Sequence, residues 1–125
     1  MRVLYLTLEP PLNADRVATG NQLRAAMLHE ALTGAGHEFI QQDSQDWTPP
    51  TVAKCIRKAR PELVLLGYWQ LAELLPDGHD QTIMVDCIAP RPLEEHFVDP
   101  LTTRPLIQRY VQALSHADLL LVGNA

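Results

Sequence analysis

The chain has 125 residues, 46% of them hydrophobic, with a mean hydropathy of −0.08, which suits one soluble globular domain with a real core. A net charge of −5 and a pI near 5.4 argue against general nucleic-acid binding, which needs a basic face, but leave room for a local anion site. No basic-then-apolar leader opens the sequence and no apolar run reaches transmembrane length, so the cytoplasm is the expected location. The two cysteines, Cys55 and Cys87, lack metal-ligand spacing and are expected to be buried or half-exposed free thiols in a reducing compartment.

Arg2 to Leu8 reads as a strand whose apolar residues do not alternate with polar ones, as expected when both faces are covered. Pro10 and Pro11 stop it, and a long loop leads to Thr19-Gly20-Asn21, where a helix should begin. Asn21 to Thr33 carries Leu23, Met27, Leu28, Ala31 and Leu32 on one helical stripe, with Arg24, His29 and Glu30 off it. Gly34 and Gly36 supply the helix stop, and His37 to Gln41 is a short second strand. Thr51 is a cap for a helix over Val52–Ala59, ended by Pro61. Leu63–Leu66 is a third strand, apolar on both faces, and Tyr68–Leu75 a short helical turn closed by Pro76-Asp77-Gly78. Thr82–Ile88 is the fourth strand. Thr103 caps a long helix with Pro105 in its first turn and a stripe of Ile107, Tyr110, Val111 and Leu114. Leu119–Val122 is the fifth strand.

This alternation predicts an α/β, three-layer Rossmann-like domain: a five-stranded parallel sheet with helices on both faces. Two strand orders fit, 3-2-1-4-5 and 2-1-3-4-5. The first is preferred, because it makes the first and fourth strands neighbours and brings the two long loops after them, Glu9–Thr19 and Ala89–Thr102, over one crevice. The enzymatic expectation depends on that adjacency; if the two strands are separated, no shared pocket remains and the enzymatic assignment drawn from it collapses. A last strand with no covering helix, ending in Asn124 and Ala125, suggests the N-terminal part of a longer, two-domain protein, with a self-contained small domain as the alternative.

Several segments, in order, resemble a known family. Arg2-Val-Leu-Tyr-Leu-Thr7, the helix start Gly20-Asn-Gln-Leu-Arg24 and the helix exit Leu32-Thr-Gly-Ala-Gly-His-Glu38 look like the first βαβ unit of GT-B glycosyltransferases. Arg60-Pro-Glu-Leu-Val-Leu65, Val85-Asp-Cys-Ile88 and His116-Ala-Asp-Leu-Leu-Leu-Val-Gly-Asn124 resemble the segments around the later strands of that family. The likeness is closest to the large retaining, sugar-nucleotide-dependent group (glycosyltransferase group 1, family 4-like). It implies an acceptor-side N-terminal domain that closes on a second Rossmann-like domain holding the nucleotide sugar. The parent would be a hexosyltransferase-type enzyme, and these 125 residues alone would not turn over. The family often has two glycines in the first loop, where this chain has Gly20 alone. Many members have a histidine after the fourth strand, where this chain has Asp86 within the strand and His96 as the nearest following histidine.

Asp86, an acid inside an apolar strand near its ligand-side end, is the candidate catalytic residue. It would bind an acceptor hydroxyl or take its proton, or else brace the following loop by accepting backbone N–H groups. Candidate substrate-binding residues are Arg16, a planar fork for a phosphate or carboxylate, and Thr19, Gly20 and Asn21 at a helix N-terminus, where one of the polar pair also serves as cap. Tyr68, with Trp69, is a platform for a sugar ring or a packing residue. Arg91 and His96, beside Glu94 and Glu95 in the fourth-strand loop, and Asn124 complete the set.

No cofactor and no metal are expected, and His29, His37, His79 and His116 have no ligand-like spacing. Phosphate-loop, dinucleotide and nucleophile-elbow motifs are absent. Expected partners are a nucleotide-sugar donor and a sugar or lipid-linked acceptor, engaged through the second domain. Nucleic acid is not expected. Peripheral membrane association of the parent and a dimer through the uncovered last strand are compatible with the pattern. The rival expectation is a non-catalytic Rossmann- or flavodoxin-like module that binds a small anion or docks a protein partner.

Overall fold

The computed structural model describes residues 1–13, 15–87 and 99–122. Among them, β1 (Arg2–Thr7), β2 (Glu38–Asp43), β3 (Leu63–Leu66), β4 (Thr82–Cys87) and β5 (Leu119–Val122) form one sheet in which every pairing is parallel. The helical elements are α1 (Gly20–Gly34), α2 (Pro49–Ala59), a 3-10 turn (Trp69–Leu74) and α3 (Pro100–Leu114). α1 packs on one face of the sheet; α2, the 3-10 turn and α3 pack on the other. The three-layer Rossmann-like class is therefore as expected.

The strand order is 2-1-3-4-5, which corrects the preferred 3-2-1-4-5. The physical reason lies in β2. Its residues are half-buried or exposed, and it carries Glu38, Gln41, Gln42 and Asp43, so it suits an edge. All four residues of β3 are buried, so β3 needs neighbours on both sides, and it lies between β1 and β4. β1 and β4 are thus not adjacent, and no single gap between them can underlie a pocket shared by their following loops. The chain changes direction between β1 and β3 instead, and that is where ligands enter sheets of this order.

β1 runs through the middle of both cores. Leu4 and Leu6 meet Val52, Ile56, Val64 and Leu66 on the α2 side, while Val3 and Tyr5 meet Ala25, Leu63 and Leu65 on the α1 side. Burial on both faces is why its sequence does not alternate. At the end of β3, the Gly67 N–H donates to the Leu6 carbonyl at 2.8 Å. A Cβ at position 67 would stand 2.7 Å from the Tyr5 hydroxyl and 3.2 Å from the Leu6 carbonyl oxygen. A side chain at 67 would collide with the Tyr5 phenol, so glycine is what this close approach requires.

Several helix boundaries and faces differ from expectation. α2 is capped by Thr48 and not by Thr51, with Pro49 and Pro50 at its first two positions, where a missing N–H costs nothing. α3 is capped by Asp99, a turn earlier than Thr103, so Pro105 lies inside the helix. In α1 the buried face is Ala25 with Leu28 and Leu32, while Leu23 and Met27 are exposed. In α3 the packed face is Leu106, Tyr110, Ala113 and Leu114, and Ile107 and Val111 are exposed. In both helices the apolar residues cover a wider arc than the sheet does, and the surplus faces outward. Cys55 and Cys87 are free and half-buried, as expected.

The clash at position 67 gives a direct test. Gly67→Ala should cost about 1–3 kcal/mol in urea unfolding, as overpacking does. Adding Tyr5→Phe should return part of that loss, because the phenolic oxygen is the nearest obstacle. Equal stability of Gly67→Ala and the native chain would show that the turn can shift freely.

Candidate functional site

The polar groups at the carboxyl ends of β1, β3 and β4 converge on the α1 side of the sheet. Thr7 and Asp86 are the buried polar residues among those described. Asp86 projects from β4 toward α1, and Arg24 reaches down from α1 to meet it, Nε to Oδ2 at 3.1 Å and Nη2 to Oδ1 at 3.4 Å. The side chain of Asp86 is wholly withdrawn from solvent and that of Arg24 is 26% exposed. Burial pushes the Asp86 carboxyl above its usual 3.8, and the Arg24 guanidinium pulls it partly back. Tyr5 stands nearby, within the field of Asp86, Arg24 and Glu9; burial raises its phenol and the neighbouring Thr7 side chain pulls it partly back.

Nearer the mouth, Glu9 at the end of β1 gathers a second cluster. The Thr19 hydroxyl donates to Glu9 Oε2. The Tyr68 hydroxyl, from the loop after β3, donates to Glu9 Oε1 at 3.3 Å. Asn21 Nδ2 donates to the Tyr68 oxygen at 2.6 Å and lies 3.5 Å from Glu9 Oε1. Burial, and then the Glu9 carboxylate, push the Tyr68 phenol up to about 12, so it remains a donor at any physiological pH.

Local sequence explains this placement. Thr19 and Gln22 form a capping box at the head of α1, each side chain bonding the other's backbone N–H. Gln22 Nε2 also donates to the Pro10 carbonyl at 3.0 Å, which ties the first loop to the helix. Asn21 and Arg24 are three residues apart and so share the face of α1 turned toward the sheet. The N-terminus of α1 was expected to receive an anion. The carboxylate of Glu9 already sits beside it, on the side chains of Thr19 and Asn21.

Of the expected site residues, Thr19, Asn21 and Tyr68 join the mouth cluster, and Gly20 is the first residue of α1 beside it. Nothing would lie within 4 Å of a Cβ at Gly20, so the backbone there is open. Asp86 is next to the cluster but is held by Arg24, and among the described residues no backbone N–H bonds its carboxylate. Arg16 is exposed in the first loop and has no side-chain bond to the cluster. Trp69 points into the opposite core, where it meets Tyr110 edge-on at 5.3 Å with the Arg109 guanidinium 5.5 Å from its ring. Arg91, His96 and Asn124 lie outside the described residues.

Glu9 and Arg24 were not singled out from the sequence. Glu9 had a signal, an acid directly between a buried strand and Pro10. Arg24 had a weaker one, its position one turn beyond Gly20 on the face shared with Asn21. No group of three or more histidine, cysteine, aspartate or glutamate side chains among the described residues is arranged to hold a metal ion. No helix among them is long and apolar enough to cross a membrane. Comparisons with protein-family models, with curated proteins and with solved structures find no match.

The Arg24–Asp86 pair predicts a pH signature. Because the folded carboxyl is raised, the native state holds its proton more tightly than the unfolded chain. Its contribution to stability is therefore greatest below pH 3.8 and falls as pH rises through the folded value. Arg24→Met should cost about 3–5 kcal/mol at neutral pH by stranding the buried carboxylate. That cost should shrink on acidification, and Arg24→Met with Asp86→Leu should recover most of it. A pH-independent loss in urea titrations would refute a charge-based account.

Proposed function

We propose that this chain is the acceptor-side domain of a glycosyltransferase of GT-B type, in which the cluster at the β1–β3 switch point receives hydroxyl groups of a sugar-bearing acceptor. One observation carries this reading: the place at the head of α1 that would receive a phosphate is already next to a carboxylate, Glu9, held by Thr19, Tyr68 and Asn21. A carboxylate flanked by hydroxyl and amide donors matches the alternating donors and acceptors of a polyol. It repels a diphosphate. The ordered segments resembling the family supply the transferase part. The strand adjacency on which the enzymatic expectation rested is absent, and the pocket argued from it is withdrawn; the reading stands instead on the family resemblance and on this different cluster.

In this role Glu9 accepts from an acceptor hydroxyl, and Tyr68 and Asn21 fix its direction. Asp86, expected as the catalytic residue, is withdrawn behind Arg24, and we assign it to positioning Arg24 and α1. The nucleotide sugar and the departing diphosphate would be held by a second domain, whose closure would exclude water.

The test is a ¹⁵N-detected titration of the chain with mono- and disaccharides and, separately, with pyrophosphate. Saccharide shifts should centre on Glu9, Asn21 and Tyr68 and vanish in Glu9→Gln with Tyr68→Phe. Pyrophosphate should bind the native chain weakly and Glu9→Gln about tenfold better, since the competing charge is gone. Tight pyrophosphate binding to the native chain, with no saccharide shifts, would favour the anion-binding module instead.

A second reading has its own support. The order 2-1-3-4-5 is that of flavodoxin-like modules. The edge strand β5 is uncharged and exposes Leu119, Leu120 and Val122, which suits pairing with a second copy. Sedimentation should show a dimer that Leu120→Lys converts to monomer; a monomeric native chain would dismiss it.

A further inference from the structure

The opposite side of β2 carries a feature that the proposed sugar site does not use. α2 overhangs the β2 edge, and between them lies a cavity of about 470 Å³, within the range of small-molecule sites. Its floor is apolar: Ile40 from β2, Trp47 from the loop, and Cys55 and Ala59 from α2. Trp47 is fixed, because its indole N–H donates to the Thr7 carbonyl at 2.8 Å. Burial raises the Cys55 thiol, so it stays neutral and behaves as part of the apolar floor.

The rim is basic in an acidic protein. Lys54 and Lys58, one turn apart on α2, both line the cavity, and neither has an ion-pair partner among the described residues. Asp43 lines the same cavity and offsets one of the two charges, so the balance suits a monoanion better than a dianion. An apolar floor, a fixed aromatic face and an unpaired cationic rim together define the occupant.

We propose that this groove binds a small amphiphilic monoanion, an acyl or aryl carboxylate, with its apolar body on Ile40, Trp47 and Cys55 and its carboxylate at Lys54 and Lys58. The floor supplies affinity through burial of apolar surface, and the lysines supply direction and selectivity for charge. The site lies on the sheet face opposite α1 and shares no lining residue with the Glu9 cluster.

The test compares three probes of equal chain length on the native protein: octanoate, octanol and octylamine. Octanoate should shift the Trp47 indole N–H signal and the amides of Ile40, Cys55 and Lys58 together along one single-site binding curve. Octanol should bind at least about tenfold more weakly, and octylamine more weakly still. Lys54→Gln with Lys58→Gln, both at exposed helix positions, should weaken octanoate about tenfold while leaving the Trp47 signal of the free protein in place. The proposal is overturned if octanoate fails to bind by about 10 mM, or if octanol or octylamine binds as well as octanoate. Shifts centred on β5 or on Glu9 would overturn it equally.

Discussion

A carboxylate with no exposed surface has to be answered from within, and in this protein the answer comes from a helix two strands away. Asp86 belongs to β4, Arg24 to α1, which packs over β1 and β3. Their pairing ties α1 to β4 across the switch point, one turn along the helix from Thr19 and Asn21, which meet Glu9 and Tyr68. Two bonds of 3.1 and 3.4 Å between ionic partners in a poorly hydrated setting matter chiefly because the alternative, a stranded charge, is worse. The site's geometry thus depends on a debt of desolvation that the α1–β4 contact settles.

How much of this was legible in the residues differs by level. The succession of elements was plain, because Pro, Gly and unbroken apolar runs punctuate the chain. The 63–66 and 119–122 strands emerge with their observed limits. Strand order follows strand polarity, and loop length points to the wrong one. Gln41, Gln42 and Asp43 mark β2 as an edge, and four consecutive buried residues mark β3 as central. Helix starts at Pro49 and Pro100 were missed for a related reason: a proline ends a helix only from inside it, and at the first turn it favours one.

Within the site, the polar residues at the start of α1 were visible from capping chemistry, and Tyr68 from its place after a buried strand. What joined them was not visible. Glu9 has no partner within its own segment, and its bonds span 10, 12 and 59 positions of chain. Arg24 looked like a solvent-facing residue because the apolar residues around it seemed to define the inward face. In the fold, the sheet takes the arc containing Ala25, Leu28 and Leu32, which turns Arg24 inward and leaves Met27 outside. A helix with apolar residues over a wide arc does not declare which part will be covered, and that decides which charge is recruited.

The two margins of the sheet are built differently. Along β2 run Glu38, itself paired with Arg2 at 2.7 Å, then Gln42 and Asp43, whose charges and hydration discourage another strand from settling there. Along β5 run four aliphatic residues without one charge. The two margins therefore differ in what they would accept: another strand is resisted at β2 by charge and hydration, whereas the side chains of β5 raise no such barrier.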